Sequence, residues 1–158
     1  MYRNHKITIL ALSLTVGVFS WILNLQYHLI ASDVTSFISI AIAVYIAALA
    51  LPLSKEVSEY MRRADEEIKH KTCMGVLCEY LQNGLAIGFF GIVVGCITTL
   101  LGNVTIMDSN GELHMRCPEI YRLFSSFGFA LFFANIMFSF LIFKYIKSTV
   151  LNGSNLQR

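Results

Sequence analysis

The chain has 158 residues, of which 56% are hydrophobic and 14% are charged, and its formal net charge is +2 at pH 7. This length gives room for one domain, and the composition excludes an ordinary soluble protein. Asp, Glu, Lys and Arg are absent from four windows, Ile7–Ser32, Val34–Ser54, Tyr80–Met107 and Leu123–Phe143. Because a helix needs about 20 residues to cross the hydrocarbon core, we predict an all-α membrane protein with four transmembrane helices.

The four spans are predicted within a single membrane domain, 1–158. Their approximate bounds are 7–31, 34–53, 82–104 and 121–143. Between the second and third spans we predict an amphipathic helix at 54–72, and between the third and fourth a short hairpin loop at 103–120.

The basic residues are distributed unevenly over the loops. Ten of the 12 Lys and Arg residues lie before the first span, in 54–72 or after the fourth span, and only Arg116 and Arg122 lie elsewhere. The protein is expected in the inner membrane of the cell. By the positive-inside rule, both termini and segment 54–72 are expected on its cytoplasmic side. The turn at Ser32–Asp33 and the loop 103–120 are then external. Segment 54–72 has nearly balanced charge, so nucleic acid is not indicated as a partner.

Small or polar residues recur every three or four positions in each predicted span, which places them on one helix face. These residues are Ser13, Gly17, Ser20, Asn24 and His28; Ser36, Ser39, Ala43, Ala47, Ala50 and Ser54; Gly84, Gly88, Gly91 and Gly95; and Ser125, Gly128, Asn135 and Ser139. Small faces let membrane helices approach closely, so we expect them to contact protein. Packing within one subunit, contact between subunits and pore lining all remain open. The phenylalanines are expected to face lipid or to fill wider gaps between helices, so that a Phe138→Leu change would be mild.

Polar side chains in the first and fourth spans are the candidates for a water-filled path. They are Ser13, Ser20, Asn24, His28 and Asn135. A pore with hydroxyls and amides but no ring of charges should discriminate weakly between ions. The spans contain no acidic residue, which disfavours a proton-coupled carrier.

The segment "SKEVSEYMRRADEEIKHK" has the pattern of an amphipathic helix, with acid-before-base pairs such as Asp65 and Lys69 at i, i+4. Such a helix is a candidate for gating or for binding a soluble regulator. The residues expected to do so are Val57, Met61, Arg62, Arg63 and Ile68. In the external loop, Asn110–Gly111 is typical of a two-residue hairpin turn.

The sequence indicates no enzyme, no cofactor and no metal site. It lacks the motifs of hydrolases and phosphate-binding loops, and His70, Cys73 and Cys78 match no zinc-binding spacing. Of the four cysteines, only Cys117 is expected on the external side, so a thiol exchange pair there is disfavoured.

The stretch "AIAVYIAALALPLSKEVSEYMRR", residues 41–63, runs from an apolar span into a charged helix. In this layout the chain resembles small four-helix phage-defence membrane effectors, the RexB-like and Hailong HalA-like channel proteins. The resemblance implies a homo-oligomeric ion channel of the bacterial inner membrane, which acts in abortive infection. Its expected partners are copies of itself, the lipid bilayer, ions and a cytoplasmic regulator. The alternatives are an immunity protein that neutralises a pore-forming bacteriocin through intramembrane contacts, and an accessory membrane subunit.

Overall fold

A computed structural model describes residues 2–48, 61–63, 65, 71–103, 105–107, 113–115 and 118–155. The four long helices are α1 (Arg3–Ile22), α2 (Ala31–Ala48), α3 (Cys73–Asn103) and α4 (Pro118–Asn155). A 3₁₀ helix, Tyr27–Leu29, precedes α2, and two short strands, β1 (Thr105–Met107) and β2 (Leu113–Met115), join α3 to α4. All four helices are long and apolar enough to cross a membrane. The predicted four-helix membrane protein is confirmed at this level.

The helices pack in the order α1–α4–α3–α2, with a smaller contact between α2 and α4. Helix α1 meets mainly α4, the last helix of the chain. Its most apolar window is 17% buried, against 33% for each of the other three spans. Helix α1 is therefore the least enclosed of the four. We call the end with the two strands the hairpin end, and the end with residues 61–73 the opposite end.

The side chains inside the bundle form two groups. One surrounds Tyr45, Tyr80 and Phe138 towards the opposite end, and the other surrounds Tyr27 and Ile38. Phe138 is only 4% exposed and belongs to the first group, so of the two positions expected for the phenylalanines it fills a gap inside the bundle. Large apolar side chains cover the outside of the helices, as they should where the surrounding solvent is hydrocarbon.

Helix α1 ends nine residues before the predicted end of the first span. Asn24 adopts a left-handed conformation, with φ 51°. The N–H of Asn24 donates to the carbonyl of Trp21, and that of Leu25 donates to the carbonyl of Ser20. These two bonds form a Schellman motif, which closes a helix and for which Asn is the usual substitute for Gly. Asn24 and His28 therefore do not share a helix face with Ser20, and that prediction is wrong.

The structure also has no turn at Ser32–Asp33, where the sequence predicted one. Both residues lie in the first turn of α2, which begins at Ala31. An acidic side chain there is favoured by the positive end of the helix dipole. The connection between the first two helices is instead the segment 23–30.

The segment before α3 is not a continuous helix to residue 72. Arg62 and Arg63 lie in a turn and a bend after the helical Met61. The N–H of Asp65 donates to the carbonyl of Lys71 at 2.8 Å, and that of Cys73 donates to the carbonyl of Arg63 at 3.0 Å. The chain therefore folds back on itself, and the predicted helix 54–72 is wrong at its carboxyl end. Val57 and Ile68 lie outside the described residues.

The two strands pair antiparallel, with Ile106 opposite His114. An antiparallel pair of strands thus lies between α3 and α4, and the predicted hairpin loop 103–120 is described no further than this pairing. The Asn110–Gly111 turn lies outside the described residues, and the sidedness of the hairpin stays a prediction.

Candidate functional site

The glycine face of α3 is used for contacts within the chain. Gly84, Gly88, Gly91 and Gly95 are all buried. A Cβ at residue 84 would stand 3.0 Å from Cε2 of Tyr45, and one at residue 91 would stand 2.9 Å from Cδ1 of Ile38. Both neighbours belong to α2, so the bare face of α3 lets α2 approach closely.

Asn135 lies in the centre of the bundle, where its side chain is fully buried. Its Nδ2 donates to the carbonyl of Gly84 over a long 3.5 Å, and among the described residues its Oδ1 has no hydrogen-bond partner. The hydroxyl of Tyr45 lies 2.6 Å from Oγ of Ser139 and donates to the carbonyl of Asn135 at 3.3 Å. These polar groups therefore cross-link α2, α3 and α4.

The small face of α1 packs against α4. A Cβ at Gly17 would stand 3.3 Å from Cβ of Ala130, and Ser20 is buried. Ser13 lies on the same side, and its Oγ is buried without a hydrogen-bond partner in the part of the chain that the structure describes. Both serines therefore belong to the α1–α4 contact.

The segment 23–30 is fastened to the start of α4 at the hairpin end. The hydroxyl of Ser125 accepts from the N–H of Tyr27 at 2.9 Å and donates to the carbonyl of Leu25 at 2.6 Å. Arg122 lies over the ring of Trp21, 4.8 Å from its centroid, and donates to the Trp21 carbonyl. This end of the bundle is held by polar contacts rather than by apolar packing alone.

Ser125→Ala is expected to destabilise the protein by about 1–3 kcal/mol, because it leaves the buried N–H of Tyr27 without its acceptor. Thermal unfolding in detergent would measure the loss. Ser126→Ala is the matched control, since Ser126 is also buried but donates only to the carbonyl of Arg122 in its own helix. Equal effects of the two changes would contradict this role of Ser125.

The remaining predicted lining residues lie apart from the bundle centre. Asn24 is exposed at the end of α1, and Nδ1 of His28 lies 2.5 Å from the hydroxyl of Tyr121. The structure therefore does not bring Ser13, Ser20, Asn24, His28 and Asn135 together around one path in a single chain.

The small and polar face of α2 points away from the bundle. Of its predicted members, Ser36, Ser39, Ala43 and Ala47 are exposed, and Ala50 and Ser54 lie outside the described residues. Ser32, one turn before Ser36, is also exposed on this side. The buried face of α2, with Val34, Ile38, Ala41 and Tyr45, lies on the opposite side of the helix. The hydroxyls of Ser36 and Ser39 donate to carbonyls one turn earlier, as serines do in apolar surroundings. We call this exposed row the outer face of α2.

A buried carboxylate joins three segments at the opposite end. Asp65 is 4% exposed and accepts hydrogen bonds from Tyr2 at 2.9 and 3.1 Å and from Tyr145 at 3.0 Å. Nδ1 of His5 lies 2.5 Å from the hydroxyl of the neighbouring Tyr80. No local sequence pattern indicates this cluster, because its members come from the chain start, the 61–73 segment and two different helices.

Of the residues predicted to bind a regulator, Met61 is buried, whereas Arg62 and Arg63 are exposed. No group of three or more His, Cys, Asp or Glu side chains positioned to hold a metal ion occurs among the described residues.

The chain matches no known protein family, no curated protein and no solved structure.

Proposed function

We propose that the chain is the subunit of a homo-oligomeric ion channel and that the outer face of α2 borders the conduction path. The observation that carries the proposal is the direction of this face. The serine hydroxyls and alanine methyl groups of this face gain little stability from contact with lipid tails. As small residues they instead allow another transmembrane helix to approach closely.

A path between subunits is favoured over a path through one subunit. The centre of the described bundle holds Tyr45, Ile38 and Asn135, all fully buried, and the glycine face of α3 draws α2 closer. Four helices packed in this way leave their interior filled. Several α2 helices around a common axis would instead place their serine hydroxyls along a shared opening.

The chemistry of this face predicts weak selectivity. Ser36 and Ser39 offer hydroxyl oxygens, and Asp33 at the start of α2 is exposed. One carboxylate per subunit near one mouth would favour cations over anions, while hydroxyls alone discriminate little among cations.

The remaining parts of the proposal rest on the sequence. The charge bias favours cytoplasmic termini in a bacterial inner membrane, and the resemblance to phage-defence effectors favours opening when infection is sensed. The segment 49–72 is the proposed contact for a regulator. Asp65 would transmit that contact, since it is bonded to Tyr2, before α1, and to Tyr145 on α4.

Ser36→Leu or Ala43→Leu is expected to abolish ion flux into liposomes and to reduce the number of subunits in the oligomer. The reason is that a large side chain blocks close approach of α2 helices. A fluorescent reporter of the cation would measure the flux, and the molar mass in detergent would measure the size of the oligomer. Ile40→Leu is the control, since Ile40 is 66% exposed on the same helix but lies outside the small row.

A wild-type protein that is monomeric and never conducts would overturn the proposal. That result would instead support the alternative of a binding protein whose α2 meets a helix of a toxin or of a larger complex. If the protein still conducts ions with either leucine change, α2 does not border the conduction path.

A further inference from the structure

A groove runs along α1 between that helix and α3. Its floor is α4, where Ala130 and Ala134 leave space, and its walls include Leu10 of α1 and Ile87 of α3. The groove exists because α1 and α3 both pack on α4 rather than on each other. Its volume is ≈ 360 Å³.

The groove has one polar mouth and a mostly apolar interior, in which Ser13 adds a hydroxyl. Lys6 and Asn83 line it near the opposite end, whereas Leu14 and Phe127 line it further towards the hairpin end. Lys6 lies near the beginning of a candidate membrane span, where a membrane surface is expected, and the interior lies at hydrocarbon depth. This arrangement matches a molecule with a charged head and an apolar tail.

The charge at the mouth is positive. Lys6 and Arg3 are exposed on α1, and neither makes an ion pair with a described carboxylate. Glu79 lies one turn before Asn83 on α3, but it forms a salt bridge with Lys71. Among the described residues, the charge that lines the mouth is therefore positive and favours an anionic head group.

The length and the apolar walls of the groove suit an acyl chain. From Lys6 to Leu14 the groove follows eight residues, or about 12 Å at the helical rise per residue. A hydrocarbon chain that enters beside Lys6 can therefore lie along Leu10, Leu14 and Ile87.

We propose that this groove binds an anionic phospholipid of the bilayer, with its phosphate at Lys6 and an acyl chain between α1 and α3. The bound acyl chain makes the van der Waals contacts that the walls of an empty groove would lack. The proposal does not depend on ion conduction.

Native mass spectrometry of the delipidated full chain, titrated with phosphatidylglycerol or phosphatidylcholine of matched chains, tests the proposal. We expect the first phosphatidylglycerol to bind about fivefold more tightly than phosphatidylcholine, the factor typical of one cation near an anionic lipid. Lys6→Gln should abolish the preference. Lys144→Gln, which removes an exposed cation from α4, should keep it.

A second pair of variants tests the interior. Ile87→Trp should fill the groove and weaken binding of both lipids severalfold, whereas Phe90→Trp at a 65% exposed position of the same helix should not. If Ile87→Trp does not fold, Leu10→Trp at the 64% exposed rim replaces it. Equal binding of the two lipids, equal effects of both lysine changes, or unchanged binding to a filled groove would overturn the proposal. So would efficient disulfide formation between two copies carrying Leu10→Cys, which would show a second chain in the groove.

Discussion

Gly128→Ala is expected to destabilise the protein by about 1–3 kcal/mol, the usual effect of overpacking a filled core. A Cβ at residue 128 would stand 2.9 Å from both Cδ1 and Cε1 of Tyr27. The Tyr27 side chain is fully buried, its N–H is bonded to Ser125, and its ring meets that of Phe129 edge-on. The ring therefore has little freedom to move away, and a single methyl group should shift α4 or displace segment 23–30.

Thermal unfolding in a fixed detergent would measure this loss, with Gly95→Ala as the matched control. A Cβ at residue 95 would stand 3.5 Å from Oγ1 of Thr35 and 3.8 Å from Cε1 of Tyr27, which are ordinary contacts. Alanine is also a better helix former than glycine by about 1 kcal/mol, so this variant should be neutral or more stable. If Gly128→Ala were as stable as Gly95→Ala, close packing of Tyr27 on α4 would be contradicted.

Asp65→Ala is expected to loosen the opposite end of the bundle and to cost about 1.5–3 kcal/mol, the value of hydrogen bonds to a charged group. It removes the acceptor of the Tyr2 and Tyr145 hydroxyls. Limited trypsin digestion would show the change directly, because Arg62 and Arg63 are exposed beside Asp65. Cleavage there should become faster.

Asp33→Ala is the control for Asp65→Ala, since Asp33 is an exposed carboxylate at the start of α2. It should leave the cleavage rate unchanged. Tyr2→Phe and Tyr145→Phe each remove one of the two hydroxyls and should give intermediate rates. Cleavage of Asp65→Ala at the wild-type rate would show that the carboxylate does not hold this segment.

The spans could be predicted because the constraint that sets them is local. A charged side chain in the hydrocarbon core is costly, so windows without charge mark the helices whatever their partners are. The end of α1 is different, because the sequence between residues 22 and 31 stays free of Asp, Glu, Lys and Arg while the backbone turns at Asn24. The absence of charge does not distinguish a loop from a helix.

The sequence also predicted which residues share a helix face, but it did not predict what each face contacts. A small residue every three or four positions marks a face, but the partner of that face depends on how the helices are arranged. The faces of α1, α3 and α4 contact the chain itself, whereas that of α2 points outward. The carboxylate of Asp65 accepts from Tyr2 and Tyr145, which lie 63 and 80 residues away in the sequence, and its predicted local pair with Lys69 lies outside the described residues. Contacts over such distances leave no periodic signal.

The packing order of the helices has a consequence for biosynthesis. Helix α1 leaves the ribosome before α2 and α3, and its main partner α4 follows them. Until α4 is inserted, α1 must remain in the membrane on its own hydrophobicity, while α2 and α3 can already pair through the glycines at 84, 88 and 91. The α2–α3 pair should therefore form first, and α1 should join only after α4 has been inserted. A chain truncated before residue 118 would leave α1 without that partner and accessible to membrane quality control.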